Sequence, residues 1–245
     1  GARSADRGVP MVGTRHVRCR WEGTRLLIDS PWGVVPVTTP LVGRHNVENL
    51  VAASATALAL GIAPTAIQRA LADFALVPGR MERVWSDGGV TAVIDYAHTA
   101  EALRLVLLSQ RELVRGRLMV VFGGGGNRDH MKRPVMGRVA SQLADHVMLT
   151  SDNPRNEDPT EIMHQIQAGF VPGFHQYHAL VDREHAIAMA LSMARPEDAV
   201  LIAGKGHEAY QIFDHTTVPF SAREVVRRVV ETRLSVTVVS PVVLM

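Results

Sequence analysis

The sequence predicts an α/β protein whose carboxyl-terminal part is a Rossmann-like parallel sheet with helices on both faces. From residue 88 onward, short β-branched runs alternate with amphipathic helical segments, as in consecutive βαβ units. A chain of 245 residues, 47% hydrophobic and 20% charged, has the composition of a globular protein with a sizeable core. A Pro-Gly turn at residues 78–79 separates this part from a different pattern before it.

The first part of the chain predicts strands at residues 26–28 and 34–37, joined by a turn at 29–31. A helix follows from residue 45 and closes at Gly61, and a shorter helix covers residues 64–74. We therefore expect two domains, residues 1–79 and 80–245. Because the chain opens with Gly1 and its first forty residues resemble the end of a domain, we also expect a truncated or processed chain.

The second part alternates strand and helix to its end. Strands are predicted at residues 90–94, 118–122, 146–149, 177–181 and 199–203, and helices at 100–113, 134–143, 160–168, 184–194 and 222–232. The apolar tail at 235–245 is too short to cross a bilayer and predicts an edge strand or a frayed end.

Charge and cysteine content exclude several classes of protein. A net charge of +2, with basic residues spread along the chain, does not favour nucleic-acid binding. The single cysteine, Cys19, allows no internal disulfide and fits a reducing cytoplasm. We find no apolar run of about 18 residues, so no membrane span is predicted.

Loops rich in charge and glycine follow four of the predicted strands. Because the carboxyl ends of parallel strands meet at one edge of a sheet, we expect these loops to form one ligand site. In chain order the loops contain Asp95, Tyr96 and His98, then GGGGNRDHMKRP (123–134), SDNPRNEDP (151–159) and GKGHE (204–208).

Two glycine motifs in these loops do not match the common phosphate-binding patterns. Arg128 stands where G-x-G-x-x-G has its last glycine, so the run is not a dinucleotide signature. Gly206 stands where Ser or Thr follows the lysine of a Walker A motif. Both loops therefore need another ligand class.

Histidines and carboxylates elsewhere have plain structural alternatives. Asp95 and His98 could belong to a helix start, where acidic residues favour the helix dipole. His175 and His178 are expected to be surface or loop histidines, because no cluster in the sequence has metal-ligand spacing.

The loop TSDNPRNEDP combines groups that recognise a zwitterion. Arg155 can fork onto a carboxylate, and Asn153 can donate and accept hydrogen bonds. Asp152 could take an ammonium group or cap the next helix. Pro154 and Pro159 restrict the loop, which lowers the entropy cost of binding.

Six collinear motifs give a resemblance to a known family. HNVENLVAA, VPGRMERV, VIDYAHTAEAL, VVFGGGGNRDHMKRPVMG, TSDNPRNEDP and VLIAGKGHEAYQ together resemble the Mur ligases over residues 41–230. The nearest branch adds the third amino acid to UDP-N-acetylmuramoyl-L-alanyl-D-glutamate in peptidoglycan synthesis. The DNPR tetrapeptide is similar to that of enzymes using meso-diaminopimelate rather than L-lysine.

The resemblance implies an ATP- and Mg²⁺-dependent, cytoplasmic ligase acting through an acyl phosphate. Residues 1–79 would be the end of the ATP-binding central domain, and residues 80–245 the amino-acid-binding domain. The groups implied to hold meso-diaminopimelate are Arg128, Asp152, Asn153, Pro154, Arg155, Gly204 and Glu208, with Glu208 on the far ammonium. The groups implied to face ATP are Asn46, Asn49, Arg80, Asp95 and His98.

The sequence also departs from the family pattern. The phosphate loop G-T-[NT]-G-K-[ST] does not occur in these 245 residues, so we expect the isolated chain to be inactive and assign it no catalytic residue. Smaller departures are Gly124, Asn127 and Ala222. A non-catalytic module that binds diaminopimelate or a protein is the alternative. Folylpolyglutamate synthase, a relative with the same chemistry, fits the DNPR loop poorly.

Overall fold

The computed structural model describes residues 11–87 and 89–238. Those residues form two compact units that divide between Leu76 and Val77. The predicted boundary after residue 79 lies close to this division.

The first unit is a three-stranded antiparallel sheet followed by two helices. Its strands are β1 (Gly13–Arg20), β2 (Gly23–Ser30) and β3 (Gly33–Thr39), and its helices are α1 (Arg44–Ala59) and α2 (Pro64–Ala72). Strand β1 was not predicted, because GTRHVRCR is largely exposed and has no apolar alternation. The core lies between the sheet and both helices, around Ile28, Val35, Leu50 and Ile67.

The second unit contains the predicted sheet. Its six strands lie in the order β4-β5-β9-β6-β7-β8, and every neighbouring pair is parallel except β4 with β5. The antiparallel edge strand β4 was not predicted. The strands are β4 (Glu82–Asp87), β5 (Val90–Asp95), β6 (Leu118–Phe122), β7 (His146–Thr150), β8 (Tyr177–Leu180) and β9 (Ala199–Ala203).

Helices cover both faces of this sheet, as predicted. Helices α3 (Ala100–Arg111), α4 (Lys132–Leu143) and α5 (Pro159–Gln167) pack side by side, and α6 (Arg183–Met193) packs with α7 (Ala222–Val238). Side chains of α6 and α7 share one core with Ile94, Val121 and Ile202. Strand β9 returns between β5 and β6, so a right-handed crossover places α6 on the face opposite to α3–α5.

Two features near the chain end differ from expectation. A hairpin of β10 (Tyr210–Phe213) and β11 (Thr216–Pro219) follows the GKGHE loop and was not predicted. Helix α7 continues to Val238, so the expected edge strand is wrong for residues 235–238, and residues 239–245 lie outside the described part. Within the described residues, no helix has the length and hydropathy needed to cross a membrane.

Candidate functional site

Four loops meet at the carboxyl edge of the six-stranded sheet, following the neighbouring strands β5, β9, β6 and β7. They enclose a cavity of about 160 Å³. Every residue predicted to hold the amino acid lines this cavity except Pro154. The lining residues are Tyr96, His98, Gly123, Gly125, Arg128, Lys132, Asp152, Asn153, Arg155, Gly204 and Glu208.

The glycine loop lies directly against the DNPR loop. Gly126 N donates to Asn153 O at 2.9 Å, and a Cβ on Gly126 would stand 1.7 Å from Pro154 O. A Cβ on Gly123 would stand 2.0 Å from Thr150 O. Glycine is therefore needed here for close backbone approach rather than for a phosphate group. Pro154 is buried beneath Gly126 and supports the cavity wall.

Arg155 is fixed by the unpredicted hairpin. Its backbone has φ of 52°, its N donates to Ile212 O at 3.0 Å, and its O accepts from Asp214 N at 2.7 Å. Its Nη1 donates to Gly126 O at 2.8 Å. Among the described residues, Nη2 has no hydrogen-bond partner. One side of the guanidinium thus holds the loop, and Nη2 remains available to a ligand.

A buried lysine joins the polar groups at the base of the cavity. Lys205 is 1% exposed, and its Nζ donates to Asn153 Oδ1 at 2.8 Å and to Glu208 Oε2 at 3.0 Å. Nζ also lies 3.7 Å from Asp152 Oδ1. A Cβ on Gly204 would approach Asp152 Oδ2 to 2.7 Å, so glycine leaves room for that carboxylate.

This arrangement changes the role expected of Asn153. Its Oδ1 accepts from Lys205 and from Ile212 N at 3.0 Å, while its Nδ2 donates to Glu208 Oε2 at 3.3 Å. Two donors at Oδ1 fix the orientation of the amide. Asn153 therefore offers a ligand one remaining N–H donor and no free acceptor.

A second ion pair ties the glycine loop to the DNPR loop from behind. Arg133 is fully buried and donates from Nη1 to Glu157 Oε2 at 2.8 Å and from Nη2 to Gly125 O at 3.1 Å. Asn127 N also donates to the Glu157 carboxylate. The hydrogen bonds from Arg133 hold the pKa of Glu157 at about 2. Glu157 is thus a structural anion at the rim of the site.

Both helix-start alternatives are wrong. Asp158 caps α5 by accepting from Thr160 N at 2.8 Å, so Asp152 is not its cap. Thr99 caps α3. Asp95 is buried and accepts from Met81 N and Ala97 N, both at 2.8 Å, so it shapes the loop after β5.

Tyr96 forms an aromatic wall of the cavity. Its hydroxyl donates to Glu208 Oε1 at 3.4 Å, and the Arg80 guanidinium lies 4.8 Å from its ring centroid. Burial, with the negative charge of Glu208, raises the pKa of Tyr96. His98 also lines the cavity, and its Nδ1 lies 2.9 Å from Tyr96 O. Arg80 packs against the Tyr96 ring.

The residues expected to face ATP are divided between the two units. Asn46 and Asn49 lie on α1 in the first unit, where Asn46 Nδ2 donates to Val42 O at 2.8 Å. Arg80, Asp95 and His98 belong to the second unit. In the described part of the chain, no group of three His, Cys, Asp or Glu side chains could hold a metal ion. Nucleotide binding by these residues stays a prediction.

The two histidines considered as ligands lie in different elements. His175 is exposed in a loop, and His178 lies on β8 rather than in a loop. His178 Nδ1 is 2.9 Å from His146 Nε2 on the adjacent strand β7. Because His146 is the first residue of β7, the pair lies at the other end of the strands from the cavity.

Sequence reasoning placed Tyr96, Lys132 and Lys205 in the loops expected to meet at the site, but it gave none of the three a role. The signal for Lys205 was present, because GKGHE directly follows a buried strand and a lysine there needs anionic partners. The Gly123 and Gly125 backbones were noticed, but their contact with the DNPR loop depends on tertiary structure.

The second unit is an α/β fold, and a charged cavity at the carboxyl edge of a largely parallel sheet is where such folds commonly place ligand sites. The family described as "Mur ligase, glutamate ligase domain" matches residues 79–206, and the chain belongs to the Mur ligase family. Relatives named UDP-N-acetylmuramoyl-L-alanyl-D-glutamate--2,6-diaminopimelate ligase are 48% identical in Gloeobacter violaceus and 47% identical in Alkalilimnicola ehrlichii. These matches cover 87% and 89% of this chain but only 44% of each relative.

A solved structure of a ligase with the same name is also similar. It has 37% sequence identity and a TM-score of 0.67, and the match covers 90% of this chain and 45% of that one. The chain thus spans less than half the length of these relatives.

Proposed function

We propose that this chain supplies the amino-acid-binding part of a MurE-type ligase in peptidoglycan synthesis. The full reaction would be ATP-dependent addition of meso-diaminopimelate to UDP-N-acetylmuramoyl-L-alanyl-D-glutamate in the cytoplasm. The D-glutamyl carboxylate would be phosphorylated, and the incoming amine would then displace phosphate to form the amide. The relatives' names and the intact DNPR loop support this assignment.

The observation that carries the proposal is the charge layout of the cavity. The side chains of Arg128 and Lys132 make no hydrogen bond or ion pair with the described residues, and Arg155 keeps Nη2 free. These cationic groups suit the two carboxylates of meso-diaminopimelate. The Asp152 and Glu208 carboxylates at the base, partly balanced by Lys205, suit an ammonium group.

The phosphate-loop motif is absent from these 245 residues, and the described residues contain no group of three His, Cys, Asp or Glu side chains for Mg²⁺. The Asp95 carboxylate accepts from two backbone N–H groups of its own loop region. We therefore derive no step through either group. The 245-residue chain alone should give no ATP-dependent ligation, and product formation by it would contradict this part of the proposal.

Calorimetric titration of the chain with meso-diaminopimelate, L-lysine and ATP tests the assignment. We expect meso-diaminopimelate to bind more tightly than L-lysine, because lysine lacks the second carboxylate and leaves a cationic group unmatched. Equal binding of the two amino acids, or binding of neither, would contradict the assignment of the cavity as a site for meso-diaminopimelate.

A diaminopimelate- or protein-binding module without catalysis is the second candidate, because the DNPR and GKGHE loops are complete in this chain. The two candidates differ in the coding DNA upstream of Gly1. A reading frame that continues through G-T-x-G-K-[ST] supports the ligase, whereas a start codon directly before Gly1 supports the binding module.

A further inference from the structure

We infer that Lys205 is a positioning and specificity-determining residue, because its buried ammonium orients Asn153 and Glu208 and sets the charge of the cavity base. Its Nζ is within 3.0 Å of an acceptor on each of these two residues. The inference rests on the proposed function for the identity of the ligand, but not for the arrangement of the protein groups.

Lys205 differs from the residues that could contact a ligand directly. It does not line the cavity, and it is 1% exposed, whereas Asn153 and Glu208 both line the cavity. A buried ammonium is retained only with compensating partners, and here all its polar partners belong to the site. Lys205 therefore acts on a ligand through the groups it holds.

The first consequence concerns orientation. Lys205 and Ile212 N both donate to Asn153 Oδ1, which turns Nδ2 toward Glu208. Without the ammonium, one of the two donors that define this orientation is lost. The Asn153 amide would then rotate more freely, and the donor it presents to a carboxylate would no longer be fixed.

The second consequence concerns charge. Asp152 and Glu208 carry two negative charges at the base, and the buried cations Lys205 and Arg183 oppose them. Lys205 is the cation that contacts these carboxylates directly, so its loss makes the base more negative. Removing the lysine charge should favour a ligand of net charge +1, such as L-lysine, over meso-diaminopimelate, which has no net charge near neutral pH.

The test compares wild type with Lys205→Met, which keeps the unbranched side chain except for its terminal ammonium and removes its charge. In calorimetric titrations we expect the preference for meso-diaminopimelate over L-lysine to fall by about tenfold. A purely structural role would weaken both amino acids by the same factor, and an unchanged preference would overturn the inference. Arg138 lies exposed on α4, so Arg138→Met serves as the charge-removal control and should leave the preference unchanged.

A ligand-free measurement separates this inference from the proposed function. In wild type the two Asn153 side-chain NH₂ signals should lie away from the free-amide positions and exchange slowly with water, and in Lys205→Met they should move toward those positions and exchange faster. If wild type binds neither amino acid, the proposed function fails while the NMR result still decides the role of Lys205. Unchanged Asn153 signals in Lys205→Met would overturn that role.

Lys205→Met leaves two carboxylates without their cation and could prevent folding. The double variant Lys205→Met/Glu208→Gln removes one of those charges, and its reference is Glu208→Gln alone. The Asn153 signals should again differ between these two variants, and the same signals in both would contradict the inference.

Discussion

Two groups of basic residues around the cavity have the same chemistry and opposite surroundings. Arg133, Arg183 and Lys205 are 0%, 1% and 1% exposed, and each donates hydrogen bonds to protein groups at or next to the cavity. Arg128 and Lys132 line the cavity and make no ion pair with the described residues. The difference shows that burial and partners, rather than residue type, divide the cations that build the site from those available to a ligand.

Arg183 is the clearest member of the buried group. It donates from Nη1 to Ser151 O at 3.1 Å and from Nη2 to Ala203 O at 2.7 Å, which ties the ends of β7 and β9 together. Burial lowers the pKa of its guanidinium, so its charge is held at a desolvation cost. Such a residue should matter for folding more than for ligand charge.

The largest expected effect is therefore on stability. Arg183→Met should lower the free energy of unfolding by about 3 kcal/mol, because two carbonyl groups lose a charged donor in a buried place. Urea denaturation measures the change, with Arg138→Met as the exposed control expected within about 0.5 kcal/mol of wild type. If both variants lose the same free energy of unfolding, buried and exposed cations do not differ in their contribution to stability.

The second prediction concerns the cavity group. Arg155→Ala should weaken meso-diaminopimelate by about 2 kcal/mol, because Nη2 is free to pair with a carboxylate, while unfolding changes less than in Arg183→Met. Calorimetry with meso-diaminopimelate and ATP measures both affinities. Equal weakening of the two ligands would show that this guanidinium does not read the amino acid.

The same division explains what the sequence could and could not predict. The five parallel strands were predicted from short apolar runs that alternate with helical segments along the chain. Strands buried on both faces are continuously apolar, as AVLIA is in β9. The cavity residues Arg128 and Arg155 were found because they follow those strands. The β10–β11 hairpin was missed and Lys205 was given no role, because Asn153, which accepts hydrogen bonds from Lys205 and from Ile212 of the hairpin, is distant from both in the chain.

The third prediction uses the pH dependence of the Arg133–Glu157 pair. The pKa of Glu157 is about 2 in the folded chain and 4.5 for an ordinary glutamate, so its stabilisation is complete above pH 4.5 and is lost as pH falls toward 2. Glu157→Gln should cost about 1–2 kcal/mol near pH 6, since the partly exposed pair is screened. Unfolding curves of both proteins between pH 6 and 3 should converge, and a constant difference would rule out this linkage.

The smallest expected effect lies at His146, a buried titratable group outside the cavity. Burial first, then His178 and Arg117, lowers the pKa of His146 below 6.5. The folded state therefore favours neutral His146, and its stability is complete above pH 6.5 and falls as pH drops through the window below that value. His146→Gln should flatten the stability profile between pH 7 and 5 by less than about 1 kcal/mol, whereas exposed His175→Gln should leave the profile unchanged. If His175→Gln flattens the profile equally, burial of His146 does not affect the pH dependence of stability. The contrast between buried and exposed basic groups would then hold only for groups such as Arg183 and Lys205, which have carbonyl or carboxylate partners.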